Sequence, residues 1–315
     1  MIPGLDNNSE PAQNGSAFPY LINMKSNNAM LIGISIVLAM VAMACGGITA
    51  ADTQKPLRVV TTTALLADLT QNVAGDSAEV VAVIPPGADV HTFQTTPKHS
   101  IDISKAALII SNGGGLDAFL NATIENALSE GAVQVVASQG LEATSDSPDP
   151  HYWQNPANVV HYVRRIQEGL SASDPAGADV YQTNADAYVQ ELLDLDREIT
   201  LILEEVPQTR RHLVTYHDAF GHFGARYGWR TSALVSNDAG GVTPAAITQL
   251  QGRVRQEGIP AVFTEPQFRS KVVDLAAQDT GVAVGTIYSD VLDGNAATYV
   301  GMMRLNAQNL VELLH

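Results

Sequence analysis

ADVYQTNADAYVQELLDLDREITLILEEV, residues 178–206, decides the architecture. Val180, Tyr181, Tyr188, Leu192, Leu195, Ile199 and Ile202 recur mostly at threes and fours, the period of a helix with one apolar face. At about 1.5 Å per residue such a helix would run roughly 40 Å. Asp174-Pro175 just before it reads as a turn or helix start, and no convincing strand lies between Asn158 and about Val206. A helix this long between two blocks of another pattern reads as a rigid connector.

Upstream, short β-branched runs alternate with helical stretches. RVVTTT (58–63) leads into ALLADLTQNVAG (64–75), followed by VVAVIPPG (80–87), AALIISNG (106–113), a helix from about Leu116, and VQVVAS (133–138). Downstream the pattern repeats. The strands are HLVTY (212–216), SALVS (232–236), PAVFTE (260–265) and VAVGTIYSD (282–290). The intervening helices are DAFGHFGARYG (218–228), TPAAITQLQGRVRQEG (243–258), SKVVDLAAQDTG (270–281) and AATYVGMMRLNAQNLVELL (296–314). Thr243 fits the N-cap of its helix and Pro244 the first helical position. Runs of βα units imply mainly parallel sheets covered by helices. The expected fold is α/β: two Rossmann-like βα lobes, 57–175 and 207–315, joined by one rigid helix over 176–206. A ligand site is expected in the cleft between the lobes.

Residues 1–56 stand apart. The segment before Met24 is polar and rich in Gly, Asn and Ser, and reads as an extension from an upstream start codon, with Met1 or Met24 as the true start, or as a disordered tail. Met24 to Ala44 has a basic residue, Lys25, an apolar stretch and small residues before Cys45, the layout of an export signal. Ala42-Met43-Ala44-Cys45 resembles a bacterial lipoprotein box, which would place a lipid on Cys45, although Ala42 and Met43 are unusual there. Residues 1–45 are therefore set aside as extension and signal, and 46–56 as linker. Cys45 is the only cysteine, so neither an internal disulfide nor a cysteine-based zinc site can form. The formal charge of −16 speaks against nucleic-acid binding and suits an acidic surface that concentrates cations.

Four metal-capable side chains stand at or beyond the ends of these runs. His91 lies in PPGADVHTFQTTP and His151 in DPHYWQNP, both stiffened by prolines, which limits the entropy lost on binding. His217 follows LVTY, where it is expected to open a helix whose dipole keeps the imidazole neutral, with Asp218 capping that helix. Asp290 ends IYSD. In open α/β sheets ligands bind outside the carboxyl ends of the strands, so these groups can converge. Three imidazoles and a carboxylate make a tetrahedral N/O set suited to zinc. Glu265 in FTEPQF is either an acceptor that fixes a histidine tautomer or a helix-initiating acid, and Trp153 is placed to wall the site. His222 is expected on another helical face and His161 on an amphipathic helix, while His99, His212 and His315 read as solvated. The chain has no HExxH, GxSxG or phosphate-loop motif, and Gly113 to Gly115 read as a turn.

Several segments together resemble the zinc/manganese solute-binding proteins of bacterial ABC importers. They are ADVHTFQTTP, the SNG after AALII, DPHYWQNPAN, YQTNADAYVQELLDLD, TYHDAFGHFGARYG, TPAAITQL, FTEPQF and YSDVL, in family order from about Leu57 to the C-terminus. The resemblance implies two α/β lobes bridged by a long helix, and metal ligands at His91, His151, His217 and Asp290. It also implies a monomer outside the cytoplasmic membrane, lipid-anchored or periplasmic, that works with a permease and an ATPase subunit. Zinc-type members tend to carry His in the HDAF motif and manganese-type members Glu, so His217 points to Zn2+. Many zinc members carry a His- and acid-rich loop before the second ligand. Here that stretch is only LEATSDSPDP, which leaves Mn2+ or iron open.

The leading expectation is a carrier that captures zinc and hands it to a permease. Four protein ligands would close the coordination sphere and leave no place for a reactive water. Two alternatives stand beside it: a zinc-dependent hydrolase with Glu265 or Asp290 as general base, and attachment at the cell surface, which no residue supports.

Overall fold

The computed structural model describes residues 56–142, 149–235, 243–268, 277 and 280–315. The expected signal, Cys45 and most of the expected 270–281 helix lie outside the described residues.

The first sheet contains β1 (Leu57–Thr63), β2 (Ala78–Ile84), β3 (Leu108–Ser111) and β4 (Val133–Val136), in the order β2-β1-β3-β4 and all parallel. Its helices are α1 (Ala64–Ala74), α2 (Pro97–Ser104), α3 (Asn121–Ser129) and α4 (Pro156–Ser173). The long helix is α5 (Ala178–Glu204). The second sheet contains β5 (His212–His217), β6 (Arg230–Val235), β7 (Ala261–Thr264) and β8 (Ala283–Thr286), in the order β6-β5-β7-β8 and again all parallel. With it go α6 (Gly221–Tyr227), α7 (Pro244–Glu257) and α8 (Tyr299–Leu314). In both sheets the order reverses beside the first strand. The crevice at the carboxyl ends of β1/β3 and of β5/β7 is thus the place where such folds hold ligands.

Local sequence explains the elements. Val59 and Val60 are fully buried, as a strand covered on both faces requires. Thr63 ends β1 and caps α1, its side chain accepting from the Leu66 amide. The α2 helix was not foreseen. Pro97 at its first position and a Thr96–His99 capping box begin it, so His99 serves as a cap rather than as a merely solvated ring. The run 282–290 forms a strand only over Ala283–Thr286, and Asp290 lies in the loop beyond.

The connector carries 27 residues, about 40 Å of helix. Its buried face is Tyr181, Ala185, Tyr188, Leu192, Leu195, Asp196, Ile199 and Leu203. Val180, expected on that face, is instead 48% exposed, and Leu203 rather than the half-buried Ile202 completes the stripe. One helical turn fixes only one such face, and the spacing from Ile199 favours Leu203. Hydrogen bonds tie the helix to both sides. Asn184 donates to the Val73 carbonyl (3.0 Å), and Asp196 accepts from Arg226 Nε (2.9 Å) and Tyr227 OH (3.0 Å). One hydrophobic core runs from Val59 through α5 to Leu314, and a small second cluster around Val214 and Val262 lies against the second sheet.

Gly169 in α4 marks a close approach of helix to sheet. A Cβ there would lie 2.3 Å from Val135 Cγ2 in β4. Gly to Ala inside a helix ordinarily stabilises by about 1 kcal/mol. Here overpacking should reverse the sign, so Gly169→Ala is expected to destabilise by about 1–3 kcal/mol in urea unfolding. Adding Val135→Ala should restore most of the loss; a stabilised single variant would refute the packing argument.

Candidate metal centre

His91, His151, His217 and Asp290 are brought together. One donor atom from each lies within 4.8 Å of all the others. The His91 and His151 Nε2 atoms are 3.5 Å apart. Asp290 Oδ1 is 3.5 Å from His151 Nε2, and Oδ2 is 3.2 Å from His217 Nε2 and 3.6 Å from His91 Nε2. Ligands at about 2.0–2.1 Å from a tetrahedral ion would stand roughly 3.3–3.4 Å apart, so these spacings fit a single ion. Three of the residues are buried, and His91 is half-buried. Asp290 Oδ1 has no hydrogen-bond partner among the described residues. A buried oxygen left open in this way fits a bound ion or water.

Two of the imidazoles, those of His151 and His217, are held from behind, and His91 is held through its backbone. Asp149 Oδ1 accepts from both the His151 amide (3.0 Å) and His151 Nδ1 (2.8 Å), which directs Nε2 into the cluster. Asp89 accepts from the His91 amide (2.9 Å) and from Thr92 Oγ1 (2.6 Å), closing the loop beneath His91. An aspartate two residues before the histidine therefore occurs twice, in Asp89-Val90-His91 and Asp149-Pro150-His151, and was the readable signal for both carboxylates. Glu265 follows β7, next to β5 in the sheet. Its Oε1 accepts the His217 amide (3.1 Å) and its Oε2 lies against His217 Nδ1. Of the two roles open to Glu265, the geometry fits the one that fixes a histidine. Trp153 packs edge-on against His151, with ring centroids 5.3 Å apart, and donates Nε1–H to the Ser289 carbonyl (2.7 Å), so it walls the cluster and bridges to the Asp290 loop.

The glycine loop has a supporting role. Gly113, Gly114 and Gly115 all have positive φ, and a Cβ on Gly113 would meet Val136 at 2.5 Å. That turn lets Asn112 donate to the Pro150 carbonyl (2.9 Å), while Tyr162 OH donates to Asn112 Oδ1 (2.8 Å), so the turn anchors the residue before His151.

Four expectations need correction. His217 closes β5 rather than opening a helix; α6 starts at Gly221 with no side-chain cap, so Asp218 does not cap it. Carboxylates, not a helix dipole, thus govern the ring. His222 is not remote. It is buried, packs at a tilt against Tyr152 with ring centroids 4.4 Å apart and reaches the Asp149 carbonyl (3.1 Å), because the short loop before α6 turns it toward the His151 loop. His212 is buried at the start of β5 between Ser232 and Arg230 (2.9 and 2.6 Å) rather than solvated, and burial with the Arg230 charge lowers its pKa. Gln267 and Ser289 were not singled out, yet both touch Asp290 or Glu265.

The electrostatics follow from this packing. Burial pushes the Asp290 carboxyl up, but the His217 and His151 charges outweigh it and hold it well below the usual range. Burial likewise opposes ionisation of Asp149, and the bond and charge of His151 overcome it. Burial pushes His217 toward neutrality, yet Asp290 and Glu265 prevail and raise its pKa to about 11.

A family model described as the zinc-uptake complex component A, periplasmic (ZnuA), matches residues 59–313. The manganese-binding lipoprotein MntA of Halalkalibacterium halodurans is 32% identical over 88% of this chain and 96% of its own. The iron-binding protein YfeA of Yersinia pestis is 29% identical over 83% and 87%. Among solved structures, the periplasmic zinc-binding protein TroA of Treponema pallidum superposes with a TM-score of 0.77 at 28% identity, covering 82% of this chain and 99% of that one.

With His217 raised above its unfolded value of 6.5, the metal-free fold draws stability from the protonated ring. That contribution is full below pH 6.5 and is lost as pH rises through about 11. Nitrogen NMR of histidine-labelled, metal-free protein at about pH 8, where a free imidazole is neutral, should show His217 doubly protonated. A neutral ring at that pH would contradict the two-carboxylate account.

Proposed function

The chain belongs to the ZnuA family of metal ABC-importer solute-binding proteins, and from that membership we propose that it captures zinc through His91, His151, His217 and Asp290. The family consists of transport components rather than enzymes, so the hydrolase alternative falls away. Such a component binds a metal ion and delivers it to a permease driven by an ATPase subunit. We place it outside the cytoplasmic membrane, as a monomer held by a lipid on Cys45; its relatives include proteins named as lipoproteins.

The observation that carries the zinc reading is the third imidazole, His217, backed by Glu265. Imidazole suits zinc, whereas additional carboxylate oxygens favour manganese. The donor atoms, one per residue and all within 4.8 Å of one another, also leave room for one small ion. A manganese reading has its own support, because relatives named for manganese and iron are 28–32% identical to this chain.

Competitive titration of metal-free protein with zinc and manganese decides between them. Zinc is expected to win, and His217→Ala to lose most of the affinity. Manganese retained equally or better at saturation would overturn the zinc assignment. Asp149→Asn removes the anionic acceptor behind His151, and calorimetry against a competing chelator should show zinc binding weakened roughly 10–100-fold. Unchanged affinity would mean that Asp149 only shapes the loop.

A further inference from the structure

Gln267 lies in the turn after β7, half-buried beside the cluster. Its Nε2 is 2.7 Å from Ser289 Oγ, 3.2 Å from Asp290 Oδ2 and 3.4 Å from Glu265 Oε2. Two of these three oxygens belong to carboxylates, which only accept, so the amide must present its NH2 group here and not its carbonyl. Asp290 is thereby made asymmetric. Oδ2 accepts from Gln267, while Oδ1 has no hydrogen-bond partner among the described residues. Yet both oxygens face imidazoles, Oδ1 at 3.5 Å from His151 Nε2 and Oδ2 at 3.2 Å from His217 Nε2.

A carboxylate placed like this can bind an ion through one oxygen or chelate it through two. A hydrogen bond to Oδ2 draws electron density from that oxygen and fixes the rotation of the group, leaving Oδ1 the stronger donor. Ser289 keeps the amide in place from the other side, and its own hydroxyl donates to Glu265 Oε2 (2.6 Å). We infer that Gln267 is a positioning residue that restricts Asp290 to one-oxygen coordination and so biases the site toward a four-coordinate ion over one that prefers more oxygen ligands. This rests on the assignment of the four ligands above. Its consequence for selectivity follows from the ions: zinc is content with four N/O donors, and manganese favours more oxygens.

Gln267→Met keeps the length of the side chain and removes the donor. X-ray absorption of the zinc-loaded proteins is expected to show about four N/O neighbours in the parent and about five in the variant. In competition, the preference for zinc over manganese should fall roughly 10–100-fold. Ser289→Ala removes the second anchor of the amide and should shift both readouts in the same direction by less. If Gln267→Met fails to fold, judged by melting of the metal-free protein, Ser289→Ala carries the test. A folded Gln267→Met with the parent's coordination number and the parent's selectivity ratio overturns the inference. A parent that itself prefers manganese overturns the zinc assignment instead, and the change between variant and parent still decides the role of Gln267.

Discussion

Asp290 is an ionised carboxylate buried among three imidazoles, and the rest of the structure is arranged around that fact. A buried charge without compensation is costly enough that the group would ordinarily neutralise. Here the carboxyl is held in its charged form by His217 and His151. In the metal-free chain a proton on His217 supplies the balancing charge; a divalent ion supplies more. The two are alternatives at one place, because a ring that coordinates must give up that proton. Competition between protons and metal is therefore part of the packing of the core itself.

The second layer of carboxylates makes that competition orderly. Asp149 and Glu265 each grip a histidine twice, at the backbone amide and at or against Nδ1, so the Nε2 atoms of His151 and His217 are aimed into the cluster. Pre-orientation of this kind lowers the entropy lost on binding. The Trp153–Ser289 hydrogen bond, the bond from the Gly87 amide to the Leu292 carbonyl (2.9 Å) and the shared core around α5 fix the two sheets against each other. The four side chains thus meet across elements that are also tied by protein contacts.

Much of this was legible in the chain, for identifiable reasons. The apolar period of 178–206 and the β-branched runs on either side specified the parallel α/β architecture, because periodicity reports which face is buried. The four clustered residues were legible because each stands at or beyond a strand end, where such sheets expose their ligands. What escaped were contacts between residues remote in sequence. His222 approaches the His151 loop across 73 positions, and Gln267 reaches Asp290 across 23. No local pattern encodes such neighbours. The end of β5 was misjudged for a related reason: HDAF reads as a helix start, but the chain takes a short turn before Gly221 that only tertiary packing sets.

His91 is the one member of the cluster whose side chain retains appreciable exposure, 10% against 0–2% for the other three. It also sits on a loop closed by Asp89 and Thr92 rather than within a strand. Among the described residues, His91 is therefore the member of the cluster that meets solvent. If exchange at an ion held by the proposed ligands starts from this side, residence time would be set by the His91 loop while equilibrium affinity would draw on all four donors, so the two could be tuned through different residues.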